Sequence, residues 1–457
     1  MAIGPEIRAL CAHVASASTR PLPEEVRWRA KQHLLDSLAA VVFGSSMPAG
    51  RAALAWMDLT YRGVSGPASV LGTSRSGPPI VAAQVNGMAA HADEVDDSHA
   101  PSLSHPGCSV APTIVAVAEE VGATGAEAIA AFVCGYDVGC RIGRATGSAF
   151  RDRSLGRWSS HSVIGTWCSA AAAGALYGFD EDEVRYLFSH TSQLTSGVTT
   201  WVRDRSHVQK AFVFGGMPAT HAMLAASLAR SGIDGVDDPF SGAPNYLEAL
   251  SDVPDLAALT AGLGSTFEVM DATIKKYAVG SPAQAAVEAT VALLAERVVK
   301  REEITAINVA LPSESAVVVD NRMMPNVNVQ YLVAATLVDG SFSMRMSNDV
   351  KRLSDPAVQG LMARIWLTPE EAFAHQRAAR VTLTMAGGET ISQTVRDVRG
   401  SPADPMSFDE VRTKAEDLLG SVLGAKRARA ACDLVSRLEE VDDLRQLVAL
   451  LVTPNAD

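Results

Sequence analysis

The chain has 457 residues, 47% of them hydrophobic and 20% charged, with a formal net charge of −12. That length exceeds what one hydrophobic core usually serves, so two domains are expected, and the apolar content argues against large-scale disorder. The acidic balance and the lack of a long Lys/Arg run give a nucleic-acid groove little support, and any anion site must be a local basic pocket.

The N-terminus, MAIGPEIRALCAHVASAS, lacks a basic segment followed by an apolar one and does not read as a signal peptide. The apolar stretches, such as 111–118, are too short to span a bilayer. The six cysteines, Cys11, Cys108, Cys134, Cys140, Cys168 and Cys432, form no CxxC pair and read as reduced, buried thiols of a cytoplasmic protein.

In chain order, residues 26–43 place Leu34, Leu35, Leu38, Ala39 and Val42 at helical spacing, and Gly44 follows as a stop. Further helices are expected at 82–91, 110–121, 125–143, 165–177 and 216–230. Several of these are dominated by Ala, Gly, Ser and Cys, which lets neighbouring backbones approach closely. The pattern changes near residue 265. Residues 304–311 alternate and are β-branched, and 381–385 with 390–395 flank Ala-Gly-Gly-Glu as a hairpin. With helices at 281–299 and 328–337, this region reads as a separate α+β domain. Residues 408–451 turn helical again. The expected fold is mainly α: a large all-helical domain (1–266 and 401–457) with a smaller α+β domain (267–400) inserted.

Seven of the ten histidines fall between His91 and His221, so imidazole chemistry should concentrate there. The densest stretch, HADEVDDSHAPSLSHP at 91–106, interleaves His91, His99 and His105 with Asp93, Glu94, Asp96 and Asp97. Carboxylates this close cannot all ionise comfortably in a buried site, and a neighbouring imidazole or ammonium restores the balance. Three readings stand: a solvated acidic loop with Ser98 as a helix cap, a metal site built from carboxylates and imidazoles, or a metal-free acid/base site stiffened by Pro101 and Pro106.

Three other clusters carry candidate chemistry. Arg151, Arg153 and Arg157 in RDRSLGRWSSH suit a carboxylate clamp or a solvated loop. His161 opens a small-residue helix, whose N-terminus favours a neutral ring; a hydrogen-bonded core histidine is the alternative. Lys210, with His207 three residues before it, lies in an apolar run ahead of a Gly-Gly turn, where an ammonium either snorkels or meets an anion. Lys275 or Lys276, in IKKYAVGSPAQ, could reach an anion held between domains. There is no GxGxxG with a ribose-binding acid, Walker A, GxSxG or zinc signature, which favours proton transfer on the substrate itself.

Together these clusters resemble the MmgE/PrpD family, which includes 2-methylcitrate dehydratases, cis-aconitate decarboxylases and iminodisuccinate epimerases. The resemblance rests on LLDSLAAVVFG at 34–44, VNGMAAHADEVDD at 85–97, HPG at 105–107, Gly-Tyr-Asp at 135–137, KAFVFGGMPA at 210–219, IKKY at 274–277 and VQYLVAATLVDG at 329–340. It implies a helical domain holding both chain ends, an inserted α+β lid with the site between them, a homodimer, and no metal or cofactor. It is similar to the family in detail, with departures. Glu94 takes the place of the first acid of the motif, Val213 that of a histidine after Lys210, Ala278 that of a proline after Tyr277, and Gln284 that of a downstream histidine. The helix-opening histidine is found at the Ser159 position in some members and at the His161 position in dehydratase-like ones.

The resemblance implies a lyase, foremost a hydro-lyase on a citrate-like acid. His105 is then the general base or acid, oriented by Asp97 or Glu94, and His161 assists the leaving hydroxyl. Lys210 and Lys275 bind substrate carboxylates and stabilise the enediolate, Lys275 as a catalytic residue, and Asp96, Ser98, Ser159, Tyr277 and Gln284 complete the substrate wall. Decarboxylation or epimerisation of a related acid is the alternative within the family, and a non-catalytic carboxylate binder the alternative outside it.

Overall fold

The computed structural model describes residues 3–147, 158–374 and 376–454. The described residues are mostly helical and divide into two compact units. The first comprises Met1–Ala92, Asp96–Thr273 and Ser407–Asp457; the second comprises Asp93–Val95 and Ile274–Met406.

The first unit is helix packed on helix. Its long members are Glu24–Ser45, Pro79–Ala90, Gly107–Val121, Gly125–Ala145, Ser160–Tyr177 and Met217–Arg230. Small residues set how closely they pack. A Cβ at Gly139 would lie 2.2 Å from Cys168 Sγ, and one at Gly87 would lie 2.5 Å from the Gly215 carbonyl oxygen. Alanine at either place would force the two backbones apart. Helix starts follow side-chain chemistry. Thr124 Oγ1 accepts from the Glu127 N–H at 3.2 Å and the Glu127 carboxylate accepts from the Thr124 N–H at 2.8 Å, a capping box stabilising the start by about 1 kcal/mol. The same device, Asp180 with Glu183, opens Glu181–Leu194, which buries Val184, Leu187, Phe188 and Thr191 at helical spacing.

Residues 408–451 are helical, as expected, and divide into several helices. Gly424, at φ +81, ends Phe408–Leu423; Ala425–Ser436 follows, and Arg445–Leu451 comes after a short turn. A left-handed φ suits glycine and stops a helix. The six cysteines are buried thiols. One helical run, Val208–Arg230, is 23 residues long and apolar enough to cross a membrane by length and composition. It packs as a core helix, with 67% of its most apolar window buried, so the expectation that no run reaches that length is corrected.

The second unit holds a four-stranded sheet in the order Ile365–Pro369, Ile304–Leu311, Ala379–Met385, Thr390–Val395. The first pair is parallel, with Val309 opposite Leu367; the others are antiparallel, with Val309 opposite Val381 and Val381 opposite Gln393. Ile307, Val309, Val381 and Leu383 share a core with Val287 and Leu293 of the Gln284–Glu296 helix and Leu332 of Val329–Asp339. Period-two burial made the central strands legible. The edge strand Ile365–Pro369 buries little and ends on a proline, so it carries no such pattern.

Candidate active site

The Pro79–Ala90 helix ends at His91, and the Gly107–Val121 helix starts just after His105. Asp96 and Asp97 lie on the segment joining them. The start of the second helix is fixed by Gly107, whose N–H donates to Asp97 Oδ1 at 3.0 Å. A Cβ there would lie 2.3 Å from Ser37 Oγ and 2.7 Å from Asp97 Oδ1, so only glycine lets the helix approach. His105 is thereby set by a short, stiff turn.

Asp96 Oδ2 faces two imidazoles, His91 Nδ1 at 2.9 Å and His105 Nδ1 at 3.2 Å. All three residues are buried, and the His105 side chain keeps 10% exposure against none for His91. Burial first, helped by the charge of Lys210, holds the His91 ring well below the usual histidine range, while Asp96 works in the opposite direction. His91 is therefore neutral, with its proton on Nδ1. The three donor atoms are close enough to surround an ion. Their separations are those of N–H···O hydrogen bonds, which put protons where a metal would need lone pairs.

Asp97 was expected to orient His105, and the structure gives it other partners. Its Oδ2 accepts from His33 Nδ1 at 2.8 Å and from the Tyr136 hydroxyl, and its Oδ1 accepts from the Gly107 N–H. Burial would raise this carboxyl, but the His33 and Tyr136 hydrogen bonds outweigh it and hold Asp97 below the usual range. Burial pushes the His33 ring down to about 4. Asp97 is thus a fully matched internal brace, and Asp96 is the carboxylate against His105.

A π-helical turn, Phe212–Gly216, follows the Val208–Ala211 helix and brings Phe214 into the middle of the group. Its ring stacks on His161 (centroids 3.8 Å apart) and on His91 (4.3 Å), and lies 5.4 Å from His105. Trp201 packs edge-on against Phe214 at 4.7 Å and against His161 at 5.5 Å. Lys210 Nζ lies 5.0 Å from the Phe214 ring centroid and 5.7 Å from that of Trp201. Its backbone N–H donates to Asp204 Oδ2 at 2.9 Å, which anchors the turn. His207 caps this helix at φ +62, a conformation that costs a non-glycine residue energy, and its ring is 5.1 Å from His91. The first unit therefore gathers His91, Asp96, His105, His161, His207, Lys210, Trp201 and Phe214.

Ser159 and His161, competing on sequence for one role, are separated by their surroundings. Ser159 Oγ accepts from Trp201 Nε1 at 3.2 Å and so braces the indole, whereas His161 lies 5.1 Å from His105, ring to ring. Ser98 sits on a two-residue strand paired with Thr273. His99 beside it pairs with Glu268 at 3.2 Å. Burial works against its charge, but Cys140 and Glu268 outweigh burial and push it up to about 10. His99, Glu268 and Asp271 could also surround an ion, but Arg144 donates to both carboxylates and supplies that positive charge.

In the second unit, Lys275 Nζ donates to Glu94 Oε2 at 3.0 Å, both groups buried. Asp93 Oδ1 accepts from the Glu94 N–H at 2.7 Å and from Asn326 Nδ2 at 2.9 Å. Gln284, expected on the substrate wall, is corrected to a structural clamp. Its Nε2 donates to the carbonyls of Tyr277 (2.7 Å) and Val279 (2.8 Å), and its Oε1 accepts from the Tyr277 N–H at 3.3 Å. Its amide is thus spent on the backbone of that turn. The Tyr277 ring packs edge-on against Phe342 at 5.0 Å. Arg151, Arg153 and Arg157 lie outside the described residues.

Sequence reasoning missed the parts played by His33, Tyr136, Trp201 and Phe214. For His33 a signal existed: it and Asp36 are polar residues on a helix that is buried almost all round. For Phe214 there was none, because an aromatic in an apolar run reads as core.

Comparison with known proteins bears on what this arrangement serves. A family model described as the MmgE/PrpD N-terminal domain matches residues 8–259, and one described as the MmgE/PrpD C-terminal domain matches 277–440. A cis-aconitate decarboxylase-like protein of Aspergillus oryzae is 26% identical, with 97% of this chain and 96% of that protein covered. The cis-aconitate decarboxylase of Aspergillus terreus is 25% identical (97% and 95% covered), and that of Homo sapiens 24% identical (95% and 92% covered).

Proposed function

The chain belongs to the MmgE/PrpD family, and on that premise we propose that it is a lyase of a small polycarboxylate, with decarboxylation of cis-aconitate as the first candidate reaction. The observation that carries the reading is Asp96 Oδ2, which receives the Nδ1–H of both His91 and His105. With its Nδ1 proton committed to Asp96, His105 has Nε2 as the ring position that exchanges a proton with substrate. Asp96 then stabilises the imidazolium whenever it forms.

In decarboxylation, the bond from carbon to one carboxylate breaks and CO₂ leaves. The electron pair spreads into the remaining unsaturated acid, and one of its carbons takes a proton from the His105 imidazolium. Solvent then returns a proton to the ring. Negative charge builds up between these steps, and Lys210, beside the Phe214 ring that stacks on His161, is the cation proposed to offset it. Phe214 and Trp201 surround the ammonium with apolar rings, so its charge is felt more strongly than it would be in water.

A hydro-lyase is the second reading, and the position of His161 favours it. Two imidazoles ring to ring at 5.1 Å supply a base for the proton next to a carboxylate and an acid for the departing hydroxide. The two reactions part by product. In ¹H NMR of the purified protein with cis-aconitate, citrate and 2-methylcitrate, decarboxylation consumes cis-aconitate with release of CO₂. Dehydration creates an alkene from a hydroxy acid without CO₂. Turnover of none of the three would sink the lyase reading, and thermal shifts with the same acids would then test the scaffold as a carboxylate binder.

A further inference from the structure

His91 does not take part in the proton transfers just described, yet it is more deeply placed than His105 and shares its carboxylate oxygen. Its ring is fully buried, stacked on Phe214 and edge-on to His105 at 5.3 Å, and among the described residues its Nε2 has no hydrogen-bond partner. A buried polar atom left unmatched costs stability. Packing alone would be served as well by an aromatic hydrocarbon. Among the described residues, the hydrogen bond this ring makes is its Nδ1–H to Asp96 Oδ2.

We propose that His91 is a positioning residue that tunes His105 through Asp96: its N–H takes one lone pair of Oδ2, leaves the other for His105, and so fixes both the tautomer and the basicity of the His105 ring. A carboxylate oxygen that accepts two N–H bonds divides its charge between them. Remove one donor and the other imidazole meets a stronger acceptor, which favours its protonated form. Facing His105 within the first unit are Asp96, His91 and, at the start of the Ser160–Tyr177 helix, His161; Lys210 and His207, around the Val208–Ala211 helix, act on His91, and Asp97 lies one residue beyond Asp96. Asp97 is matched by His33, Tyr136 and Gly107, so its influence stays constant when His91 is changed.

The inference deepens the reading of His105 as the proton-transfer residue and rests on it for its consequence in catalysis. The test separates the two. The titration of the His105 ring is followed by NMR in protein with ¹³C-labelled histidine, the signal being assigned with His105→Gln. In His91→Phe, which keeps the ring stack and loses the donor, the titration moves up by about one pH unit. His91→Gln carries its amide at the Nε2 position, out of reach of Asp96, and moves it the same way. His91→Asn places an amide N–H where Nδ1 stood and returns the titration to the wild-type position. The limb of the kcat/KM profile that reports His105 shifts in step, by about tenfold in rate on its slope for one unit. An unmoved titration in both the Phe and Gln variants overturns the proposal. So does an Asn variant displaced as far as Phe, which would make ring bulk the cause. If the wild type turns over no acid, the lyase reading fails while the titrations still decide this one.

Discussion

Asp96 and Asp97 are consecutive, chemically identical and fully buried, but their partners differ in kind. Asp97 spends one oxygen on His33 and Tyr136 and the other on the Gly107 N–H, joining parts of the chain that are far apart in sequence. Asp96 turns one oxygen to two imidazoles, one of which keeps an exposed edge. A carboxylate matched by fixed donors from several helices braces the fold. A carboxylate that holds a partly exposed ring, as Asp96 holds His105 while Asp97 holds only the fully buried His33, is equipped for chemistry. Burial and charge alone do not distinguish the two; the partners do.

That contrast is open to direct attack. The largest effect is expected at the Asp96 group. His105→Ala and Asp96→Asn each lower kcat by about 10²–10⁴-fold with thermal unfolding near wild type, measured on whichever acid the protein turns over. Near-wild-type turnover in His105→Ala would remove His105 from the reaction. Asp97→Ala should do the reverse. It strands His33, the Tyr136 hydroxyl and the Gly107 N–H, and should cost about 3–5 kcal/mol of unfolding free energy in urea. A stable but inactive Asp97→Ala protein would place Asp97 in the chemistry after all.

A second matched group, His99 with Glu268, gives a prediction with a defined pH window. The folded-state value of about 10 lies above the usual 6.5. Its contribution is therefore complete below pH 6.5 and is lost as pH rises through about 10. Melting temperature should decline across that window, and His99→Gln should decline less. A parallel decline in both proteins would show that His99 is not the group responsible. The smallest effect is expected at Lys414, whose ammonium lies 2.6 Å from Asp36. Burial, against the pull of Lys414, pushes the Asp36 carboxyl up to about 6. That carboxyl can neutralise itself by taking up a proton, so Lys414→Met should cost only about 1–3 kcal/mol in urea unfolding. The loss should be larger at pH 8 than at pH 5, where Asp36 is protonated in the variant.

Much of this protein was legible in the amino-acid order. The helices at 26–43, 110–121 and 125–143 follow from apolar spacing, and the strands at 304–311 and 390–395 from alternation, because burial on one face leaves a period in the sequence. The His91–Pro106 stretch, Lys210 and His161 stood out because charge and imidazole amid apolar residues are costly without a purpose. Other features left no periodic trace. The edge strand Ile365–Pro369 is barely buried, and Phe214 is one of two phenylalanines in an apolar run whose π turn depends on Gly87 and Gly215 meeting backbone to backbone.

The pairing of acids with rings was decided by tertiary structure alone. Sequence placed four carboxylates within five residues and favoured Asp97 or Glu94 as the partner of His105. The fold chose Asp96, because Asp97 is claimed by His33 and Tyr136, which lie 64 and 39 residues away along the chain. Glu94 is paired with Lys275, 181 residues away. Local sequence fixes which groups are near one another. Which of two adjacent, identical side chains meets a given ring depends on where distant helices present their donors, and only the packed chain sets that.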